Sequence, residues 1–340
     1  MTEDQKPPSH LVRVRAYLER AHLPVIETQI QELPGDASDR RYVRVVPPGK
    51  TPFLLLVHTN AFDRLTLPFI NVATLLSEML VPVPEILGVD GDLGILALED
   101  LGDVTLQRHL QRSELDCDGR LRLYNEAAGL IAVMQLRGRE LASNRYTPFS
   151  LAFDVEKLMA ELAFFVRHFL VAHRRAVLSS SDRTSLTDEF NVLAEALAAE
   201  PRVFCHRDFH SRNLMMRDGR LHVIDFQDAQ MGPDTYDLAS LLRDSYVDLD
   251  RAILDRAVAT YFDRIGRIEP SDFRGRFDQM AVQRHLKALG TFGYQASMVG
   301  TDRYADAVPR TLAYLKSIFV RDPRFGRLGD LLATHVPELR

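Results

Sequence analysis

A polar run at residues 206–213, HRDFHSRN, places the strongest constraint on how this chain can fold. It holds three histidine or carboxylate side chains and two arginines, and it lies between the short apolar segments RVF and LHVIDF. Apolar segments of this length predict buried strands. Because charged groups are costly to bury without partners, we expect the run between them to be a loop whose polar groups serve a chemical function.

The spacing of three side chains in and after this run indicates phosphoryl transfer. Asp208 is followed by Asn213, and Asp225 comes after a turn predicted at Asp218-Gly219. A carboxylate at Asp208 can orient a hydroxyl nucleophile and accept its proton, while Asn213 and Asp225 are typical ligands of the divalent cation that accompanies a triphosphate. A hairpin from VFCH through NLMMRDGRLHVIDF is expected to bring Asn213 and Asp225 to one cation.

Each of these assignments has a structural alternative. Asp208 and Asn213 can cap turns, and Asp225 can end a strand. His206 is a second candidate for the catalytic group. It is predicted either to brace the loop through a backbone or Asp225 contact, or to take protons.

Composition limits the partners and the compartment. The 340 residues carry a formal net charge of -5, which argues against nucleic acid or an anionic membrane as the main partner. The two cysteines, Cys117 and Cys205, are too few for a disulfide framework or a zinc site and suggest a reducing compartment. The start MTEDQKPPSH is unlike a signal peptide, and no run of about 18 apolar residues could span a membrane. A cytoplasmic protein is expected.

The hydrophobic pattern changes near residue 102. Before it, an amphipathic helix at about residues 9–22 and one main helix at 66–80 accompany short β-like segments, which are VIETQIQEL, RYVRVV, FLLLVH, PEILGVD and GILALED. After it, helical periodicity covers residues 105–138, 154–174, 183–199 and 234–319, with short strands around 203 and 222. Because the chain is longer than a usual single domain, we predict two lobes, residues 1–101 and 102–340.

The segments HRDFHSRNLM, VIDFQDAQMGPDTYDLASLLRD and QRHLKALGTFG resemble the aminoglycoside phosphotransferase superfamily, and within it the kinases that phosphorylate N-acetylmuramate and N-acetylglucosamine at the anomeric hydroxyl. The likeness runs from about residue 30 to about residue 320. It implies an α+β, protein-kinase-like bilobal fold, in which residues 1–101 form a small antiparallel sheet that binds nucleotide and residues 102–340 form a larger helical lobe that binds substrate. It also implies ATP and Mg²⁺ as cofactors and a small-molecule acceptor, because no long activation segment follows Asp225.

The acceptor stays open within this superfamily. An aminoglycoside, choline, homoserine or thiosugar kinase would keep every catalytic residue and change only the acceptor pocket. A non-catalytic pseudokinase is disfavoured because Asp208, Asn213 and Asp225 are all present. We expect a monomer that transfers the γ-phosphoryl group of ATP to the anomeric hydroxyl of a small sugar in a cell-wall recycling route.

The resemblance also assigns residues to the nucleotide in two segments. The loop PGDASD has small residues that let backbone N–H groups approach phosphates, although a plain hairpin turn would use the same residues. LALEDLG resembles the hinge that offers backbone groups to adenine, and a plain interlobe linker is the alternative. The predicted contacts are Gly35, Ala37, Ser38, Arg44, Leu98, Glu99 and Leu101.

One position departs from the pattern of protein kinases, which place a phosphate-binding lysine on the third strand. Here that strand reads FLLLVHTN, with His58 nearest to the position and Lys50 in the preceding turn. Either Arg41 or Arg44 replaces the lysine, or the phosphates rely on backbone amides and metal. Alternation along the strand places Arg40 and Arg44 on one face and Arg41 on the other.

Further polar residues are candidates for acceptor recognition or for support of the loop. Asp237 in YDLA resembles the aspartate that accepts N–H bonds from the catalytic loop in kinase-like folds, and it can also stabilise its own helix. His210 and Arg212 can meet phosphate or substrate, or can be solvated. The substrate candidates, each of which can also be an outward-facing polar residue, are Asp228, Arg243, Gln283, Arg284 and Tyr294.

Overall fold

The structure, a computed structural model, describes residues 9–33, 40–112 and 115–340. The chain divides into two compact units, the first spanning Met1–Asp103 with Met215–Gln227 and the second spanning Val104–Leu214 with Asp228–Arg340. The sequence indicated a division after residue 101 and gave no sign that a later segment returns to the first unit. The predicted α+β class is confirmed by a five-stranded sheet and a larger set of helices.

The first unit contains an antiparallel sheet with the strand order β1-β2-β3-β5-β4. The predicted strands are confirmed, most of them with shorter ends. They are β1 (Gln29–Glu32), β2 (Arg41–Val46), β3 (Phe53–Val57), β4 (Ile86–Asp90) and β5 (Ile95–Glu99).

Both faces of the central strands are covered by apolar side chains. Alternate residues of β2, β3 and β5 pack against α1 (His10–Arg20), and this cluster comprises Val14, Leu18, Val43, Val45, Leu55, Val57, Ile95 and Ala97. The intervening residues Leu56, Leu96 and Leu98 are also buried. Two covered faces explain why FLLLV and ILALE read as continuous apolar runs, and each fully buried side chain of this kind contributes about 1.5–3 kcal/mol. The predicted main helix is confirmed as α2 (Pro68–Glu78).

The polar run of the sequence follows β6 (Arg202–Cys205) and precedes a hairpin of β7 (Leu214–Arg217) and β8 (Arg220–Val223). The hairpin turn has φ values of 50° at Asp218 and 75° at Gly219. Two successive left-handed residues match the twist of a two-residue hairpin. The predicted turn is therefore confirmed.

The strand β6, however, is not part of that hairpin. It pairs antiparallel with β9 (Gln230–Pro233), so the prediction of one hairpin starting at VFCH is wrong. The glycine of β9 suits this pairing, because a Cβ atom at Gly232 would lie 3.2 Å from Cys205 Sγ, which is a tight contact.

The second unit is built from helices. They are α3 (Leu106–Arg112), α4 (Cys117–Glu140), α5 (Val155–Phe165), α6 (Ser180–Ala198), α7 (Tyr236–Leu242), α8 (Arg251–Ile265), α9 (Phe273–Tyr294), α10 (Ala307–Arg321) and α11 (Gly326–His335). None of the helices within residues 9–33, 40–112 and 115–340 is both long and apolar enough to cross a membrane.

Local capping signals divide the long helical stretches that the periodicity predicted. Asp116 begins α4 by accepting a hydrogen bond from the Gly119 N–H at 2.7 Å. Ser179 begins α6 through a capping box with Asp182. Gly266, with φ 67°, ends α8 in the left-handed conformation.

The helix α9 is the central element of the second unit and packs closely against α5 and the π-helical segment Val166–His173 that continues it. A Cβ atom at Gly290 would lie 3.0 Å from the Phe165 backbone, and one at Gly293 would lie 2.5 Å from the His168 carbonyl oxygen. Only glycine permits this approach. The same helix carries several of the polar residues described below.

Candidate active site

A buried carboxylate fixes the start of the polar loop that follows β6. Asp237, in the first turn of α7, has no solvent exposure and accepts the backbone N–H groups of His206 at 2.7 Å and Arg207 at 3.0 Å. Burial raises the pKa of Asp237, although His206 and the two N–H bonds oppose the increase. The left-handed backbone of Arg207, with φ 81°, turns both N–H groups towards the one carboxylate. The predicted bracing role of Asp237 is confirmed.

A second buried carboxylate holds the middle of the loop. Asp244 accepts the backbone N–H of Ser211 at 2.9 Å and that of Tyr246 at 2.8 Å. The Ser211 carbonyl in turn accepts the backbone N–H of Gln107 at 3.0 Å. The loop is therefore fixed at two places by acidic side chains.

Asp208, the predicted general base, lies beside two cations from α9. Its Oδ1 atom is 3.4 Å from Arg284 Nη1 and 3.7 Å from Lys287 Nζ. Burial alone would raise the pKa of Asp208, but the charges of Lys287 and Arg284 outweigh it and hold the pKa well below its usual range. The side chain remains 35% exposed, so an ionised carboxylate is open to an incoming group.

Glu161 on α5 links the positive charges around the loop. Its carboxylate accepts Arg207 Nη2 at 2.9 Å and Gln283 Nε2 at 2.8 Å, and Lys287 Nζ lies 3.6 Å away. Burial acts to raise the pKa of Glu161, but Lys287 and Arg207 lower it below the usual value. No sequence pattern singled out Glu161, because these partners are 46 or more positions away along the chain.

Two predicted substrate residues of α9 are used inside the protein. Gln283 is fully buried with its amide on Glu161, which contradicts the prediction that it contacts a sugar directly. Arg284 donates to the Arg207 carbonyl at 2.7 Å and to the Tyr236 hydroxyl at 2.8 Å, and its guanidinium lies 4.8 Å above the Tyr236 ring. Both side chains point inward to polar partners on α5 and α7. The helical periodicity of α9 alone does not reveal these partners.

The remaining substrate candidates are dispersed. Arg243 lies over the ring of Tyr314 at 5.4 Å. Tyr294 is 37% exposed and contacts the rings of Phe164 and His168. Asp228 is exposed. For these three residues, contact with the acceptor stays a prediction.

The histidines and the second arginine of the loop have packing partners in the second unit. His206 is buried and its Nδ1 accepts the Asp208 backbone N–H at 3.2 Å, which is the bracing alternative. The ring of His210 contacts that of Tyr246, and the Arg212 guanidinium lies 4.7 Å from the same ring. For His210 and Arg212, contact with phosphate or substrate stays a prediction.

Asn213 is positioned to offer an oxygen to a cation. Its Nδ2 donates to the Asp208 carbonyl at 2.9 Å, which fixes the amide plane and leaves the side-chain oxygen as the atom for a ligand. Amide and carboxylate oxygens suit Mg²⁺. Asn213 belongs to the second unit, whereas Asp225 belongs to the first.

Asp225 has a left-handed backbone, with φ 62°, and a side chain that is 41% exposed. Its Oδ1 accepts Gln227 Nε2 at 3.0 Å and is 3.5 Å from Arg40 Nη2. An aspartate in a conformation that favours glycine is consistent with a functional constraint. Across the part of the chain that the structure describes, no group of three or more His, Cys, Asp or Glu side chains could hold a metal ion. The predicted metal contacts of Asn213 and Asp225 stay predictions.

The predicted hinge is tied into the sheet of the first unit. Leu98 is paired on both sides, with Leu54 of β3 and Ile86 of β4. The Glu99 backbone N–H donates to the Glu85 carbonyl, which leaves this group unavailable to adenine. Leu101 is buried, and its adenine contact stays a prediction.

Arg44, predicted to contact phosphate, is held at this hinge. Its guanidinium pairs with Asp100 at 2.6 Å and with Asp103 at 3.0 Å. Only 13% of the side chain is exposed, so a phosphate contact would require these ion pairs to break. The predicted phosphate-binding residues Gly35, Ala37 and Ser38 lie outside the described residues.

Comparison with known proteins agrees with this geometry. The profile described as the phosphotransferase enzyme family matches residues 29–272. A protein named N-acetylmuramate/N-acetylglucosamine kinase from Pseudomonas aeruginosa is 33% identical over 306 residues, which are 88% of this chain and 86% of that protein. Its namesake from Neisseria meningitidis is 31% identical and covers 88% of this chain and 87% of that protein.

Solved structures confirm the predicted fold. A choline/ethanolamine kinase family protein from Mesorhizobium loti superposes with a TM-score of 0.62 at 17% identity, covering 97% of this chain and 99% of that chain. A putative aminoglycoside phosphotransferase from Ralstonia eutropha gives a TM-score of 0.62 at 14% identity, with 91% and 97% covered.

Proposed function

Because the chain belongs to the phosphotransferase enzyme family, we propose that it is an ATP-dependent kinase for the anomeric hydroxyl of N-acetylmuramate or N-acetylglucosamine. The observation that carries the proposal is the setting of Asp208, a partly exposed carboxylate beside Arg284 and Lys287 on a loop fixed by buried acids. The sugar is taken from the names of relatives that match 88% of the chain.

Asp208 orients the acceptor hydroxyl and receives its proton as the γ-phosphoryl group is transferred in line. A hemiacetal hydroxyl is more acidic than an ordinary alcohol, so an anomeric acceptor requires only a weak base. Arg284 and Lys287 hold the carboxylate in place, and His206 holds the Asp208 backbone. The reaction yields a sugar 1-phosphate and ADP.

Asn213 and Asp225 are assigned to Mg²⁺ by their oxygen atoms and by the fixed plane of the Asn213 amide. When bound, the cation neutralises charge on the phosphates. Asp228, Arg243 and Tyr294 remain candidates near the acceptor, and the segment PGDASD and the hinge remain candidates for the nucleotide. The free cysteines Cys117 and Cys205 fit a reducing compartment, and we assign the protein to the cytoplasm as a monomer.

An acceptor screen with product analysis tests the proposal. The purified protein is incubated with Mg²⁺ and ATP or GTP, and ADP or GDP release is measured with N-acetylmuramate, N-acetylglucosamine, an aminoglycoside, choline and homoserine. We expect turnover with the amino sugars, and phosphorus NMR should show coupling between the product phosphate and the anomeric proton.

The methyl glycoside of N-acetylglucosamine is the matched control acceptor, because it lacks only the free anomeric hydroxyl. It should not be phosphorylated. Equal turnover of the methyl glycoside would assign the transfer to another hydroxyl, and turnover with choline, homoserine or the aminoglycoside alone would replace the amino sugar as acceptor. Absence of nucleotide binding by calorimetry would favour a scaffold without kinase activity.

A further inference from the structure

The register of the first sheet identifies which cations lie near the position of the missing third-strand lysine. Arg41 of β2 pairs with Val57 of β3, so the residue before Arg41 lies beside the residue after Val57. These two residues are Arg40 and His58. The proximity is also seen electrostatically, because the charge of Arg40 lowers the pKa of His58.

His58 does not supply the positive charge itself. Its side chain is partly buried, and burial first, then the charges of Arg40 and Arg13, lower its pKa to about 4. The imidazole is therefore neutral at physiological pH. Its ring contacts Phe62, and its backbone carbonyl accepts Arg13 Nη1 at 2.7 Å.

The other candidate cations are placed elsewhere in the first unit. Arg44 lies towards the opposite end of β2, at the hinge carboxylates. Lys50 is exposed in the turn between β2 and β3, beyond the pair Val45–Phe53 and therefore at the far end of these strands. Arg41 is 62% exposed and lies 3.7 Å from Glu32 on the outer strand.

Arg40 faces the carboxylate assigned to the cation. Its Nη2 atom is 3.5 Å from Asp225 Oδ1, and 20% of its side chain is exposed. The segment that carries Asp225 is anchored in the same unit, because the buried ring of Phe226 packs against Phe69 of α2 at 4.8 Å. The pair therefore lies within one compact unit of the structure.

We propose that Arg40 binds the phosphate chain of the nucleotide and takes the place of the third-strand lysine. The inference rests on the proposed function. A guanidinium beside a cation-binding carboxylate is placed to meet phosphate oxygens that share the cation, and its planar donors suit phosphate. At 3.5 Å the contact with Asp225 is weak, so Arg40 exchanges this partner for phosphate at little cost.

Binding of a nucleotide series tests the assignment without measuring catalysis. The affinities of adenosine, AMP, ADP and ATP are measured by calorimetry for the wild type, Arg40→Ala, Arg40→Lys and Arg41→Ala, with Mg²⁺ and again in EDTA. We expect Arg40→Ala to weaken ADP binding by about tenfold to a hundredfold, in both conditions, and to leave adenosine unchanged. Arg40→Lys should retain part of the affinity as a point charge.

Arg41→Ala is the matched control, because it removes the neighbouring arginine on the outer side of the sheet and should not change the series. Asp225→Asn supplies an independent check in EDTA, where losing the competing carboxylate should leave ADP binding as tight as in the wild type or tighter. Circular dichroism and thermal unfolding establish that each variant is folded.

The outcomes separate this inference from the proposed function. If the wild type prefers ADP to adenosine and Arg40→Ala keeps that preference in full, Arg40 is not the phosphate ligand and the kinase assignment stands. If the wild type binds ADP no more tightly than adenosine, the phosphates are not recognised and both are overturned.

Discussion

The catalytic loop of the second unit and the Arg40–Asp225 pair of the first unit use charge in opposite ways. In the loop, Asp237 and Asp244 are buried, and each accepts two backbone N–H groups. In the first unit, Arg40 and Asp225 make a single long contact of 3.5 Å, and 41% of the Asp225 side chain is exposed. One region is fixed before any ligand arrives, and the other holds partners that a ligand can replace.

The difference follows from what each region is proposed to do. A group that orients a nucleophile must already be in position, because rearranging polar groups during the reaction adds to its barrier. A group that binds a triphosphate must first release its existing partner, and a tight buried ion pair would make that release expensive. We therefore propose that the pairing of charges distinguishes positioning groups from ligand-binding groups in this protein.

Replacement of the proposed base should have the largest effect. Asp208→Asn keeps the size and removes the proton acceptor, so we expect turnover to fall by at least about a hundredfold while nucleotide affinity stays nearly unchanged. Steady-state kinetics with the accepted sugar and calorimetry with ADP measure the two quantities. Wild-type turnover in this variant would remove Asp208 from the mechanism.

Loss of the buried brace should damage both stability and turnover. Asp237→Asn turns one acceptor oxygen into an NH₂ group that faces a backbone N–H donor, so the free energy of unfolding should fall by about 1–3 kcal/mol. Turnover should fall because Arg207 and Asp208 lose their fixed backbone. Urea unfolding and kinetics check the two effects, and Arg40→Ala, made for the other region, should leave the unfolding free energy within about 0.5 kcal/mol. A stable Asp237→Asn protein would show that the brace is dispensable.

The ion pairs of Glu161 with Arg207 and Lys287 should have a smaller effect on turnover. Glu161→Gln leaves Arg207 and Lys287 without their shared anion, and we expect turnover to fall about tenfold, which corresponds to about 1.4 kcal/mol. Glu156→Gln is the control on the same helix, because Glu156 is exposed and should change neither kinetics nor nucleotide binding. An equal loss of turnover in both variants would mean that any change in α5 lowers turnover, and the ion pairs of Glu161 would then have no specific role.

The parts predictable from the sequence were those with a local signal. Alternation identified β2, and the dipeptide Asp218-Gly219 identified the turn between β7 and β8. The spacing of the polar run predicted Asp208 as the base, and the resemblance of YDLA to kinase-like folds identified Asp237 as the brace of the loop. The family match confirmed the class of enzyme that this spacing indicated. Each of these features depends on residues close together in the chain or on a recurring pattern of them.

The parts that could not be predicted depend on distant partners. No strand was predicted at QMGP, yet it forms β9 by pairing with β6, where Gly232 fits against Cys205. Glu161 has no distinguishing neighbour in its helix, and Gln283 resembles an outward-facing polar residue until α5 is placed against α9. Such residues become recognisable only when the partner elements are known.

The effect of neighbouring cations on the pKa of a buried carboxylate can be tested by measuring stability at different pH values. Glu200 is 3% exposed and pairs with Arg276, which also pairs with Asp234. Burial is the largest influence on Glu200 and raises its pKa to about 7. Because the folded protein then holds a proton that the unfolded chain releases, this contribution to stability is present below the unfolded pKa of 4.5 and is lost as pH rises through about 7.

The difference in unfolding free energy between the wild type and Glu200→Gln should therefore change by up to about 3 kcal/mol between pH 5 and 8, since one pKa unit corresponds to about 1.4 kcal/mol. The glutamine keeps an oxygen for Thr235 and Arg276 and does not titrate. Urea titrations across this range measure the difference. A constant difference would mean that Glu200 is ionised throughout, as Asp208 is with two cations.

Replacement of Arg44 is expected to leave nucleotide recognition unchanged, and it tests which arginine binds the nucleotide phosphates. Arg44→Ala frees Asp100 and Asp103 at the hinge and should lower the unfolding free energy by about 1–2 kcal/mol. The preference for ADP over adenosine should persist, because the guanidinium is already committed to two carboxylates. If this preference disappears in Arg44→Ala and persists in Arg40→Ala, Arg44 leaves Asp100 and Asp103 to bind phosphate. Arg40 then stays paired with Asp225 and does not bind phosphate. The relation between pairing and role that distinguishes the two regions would then be reversed.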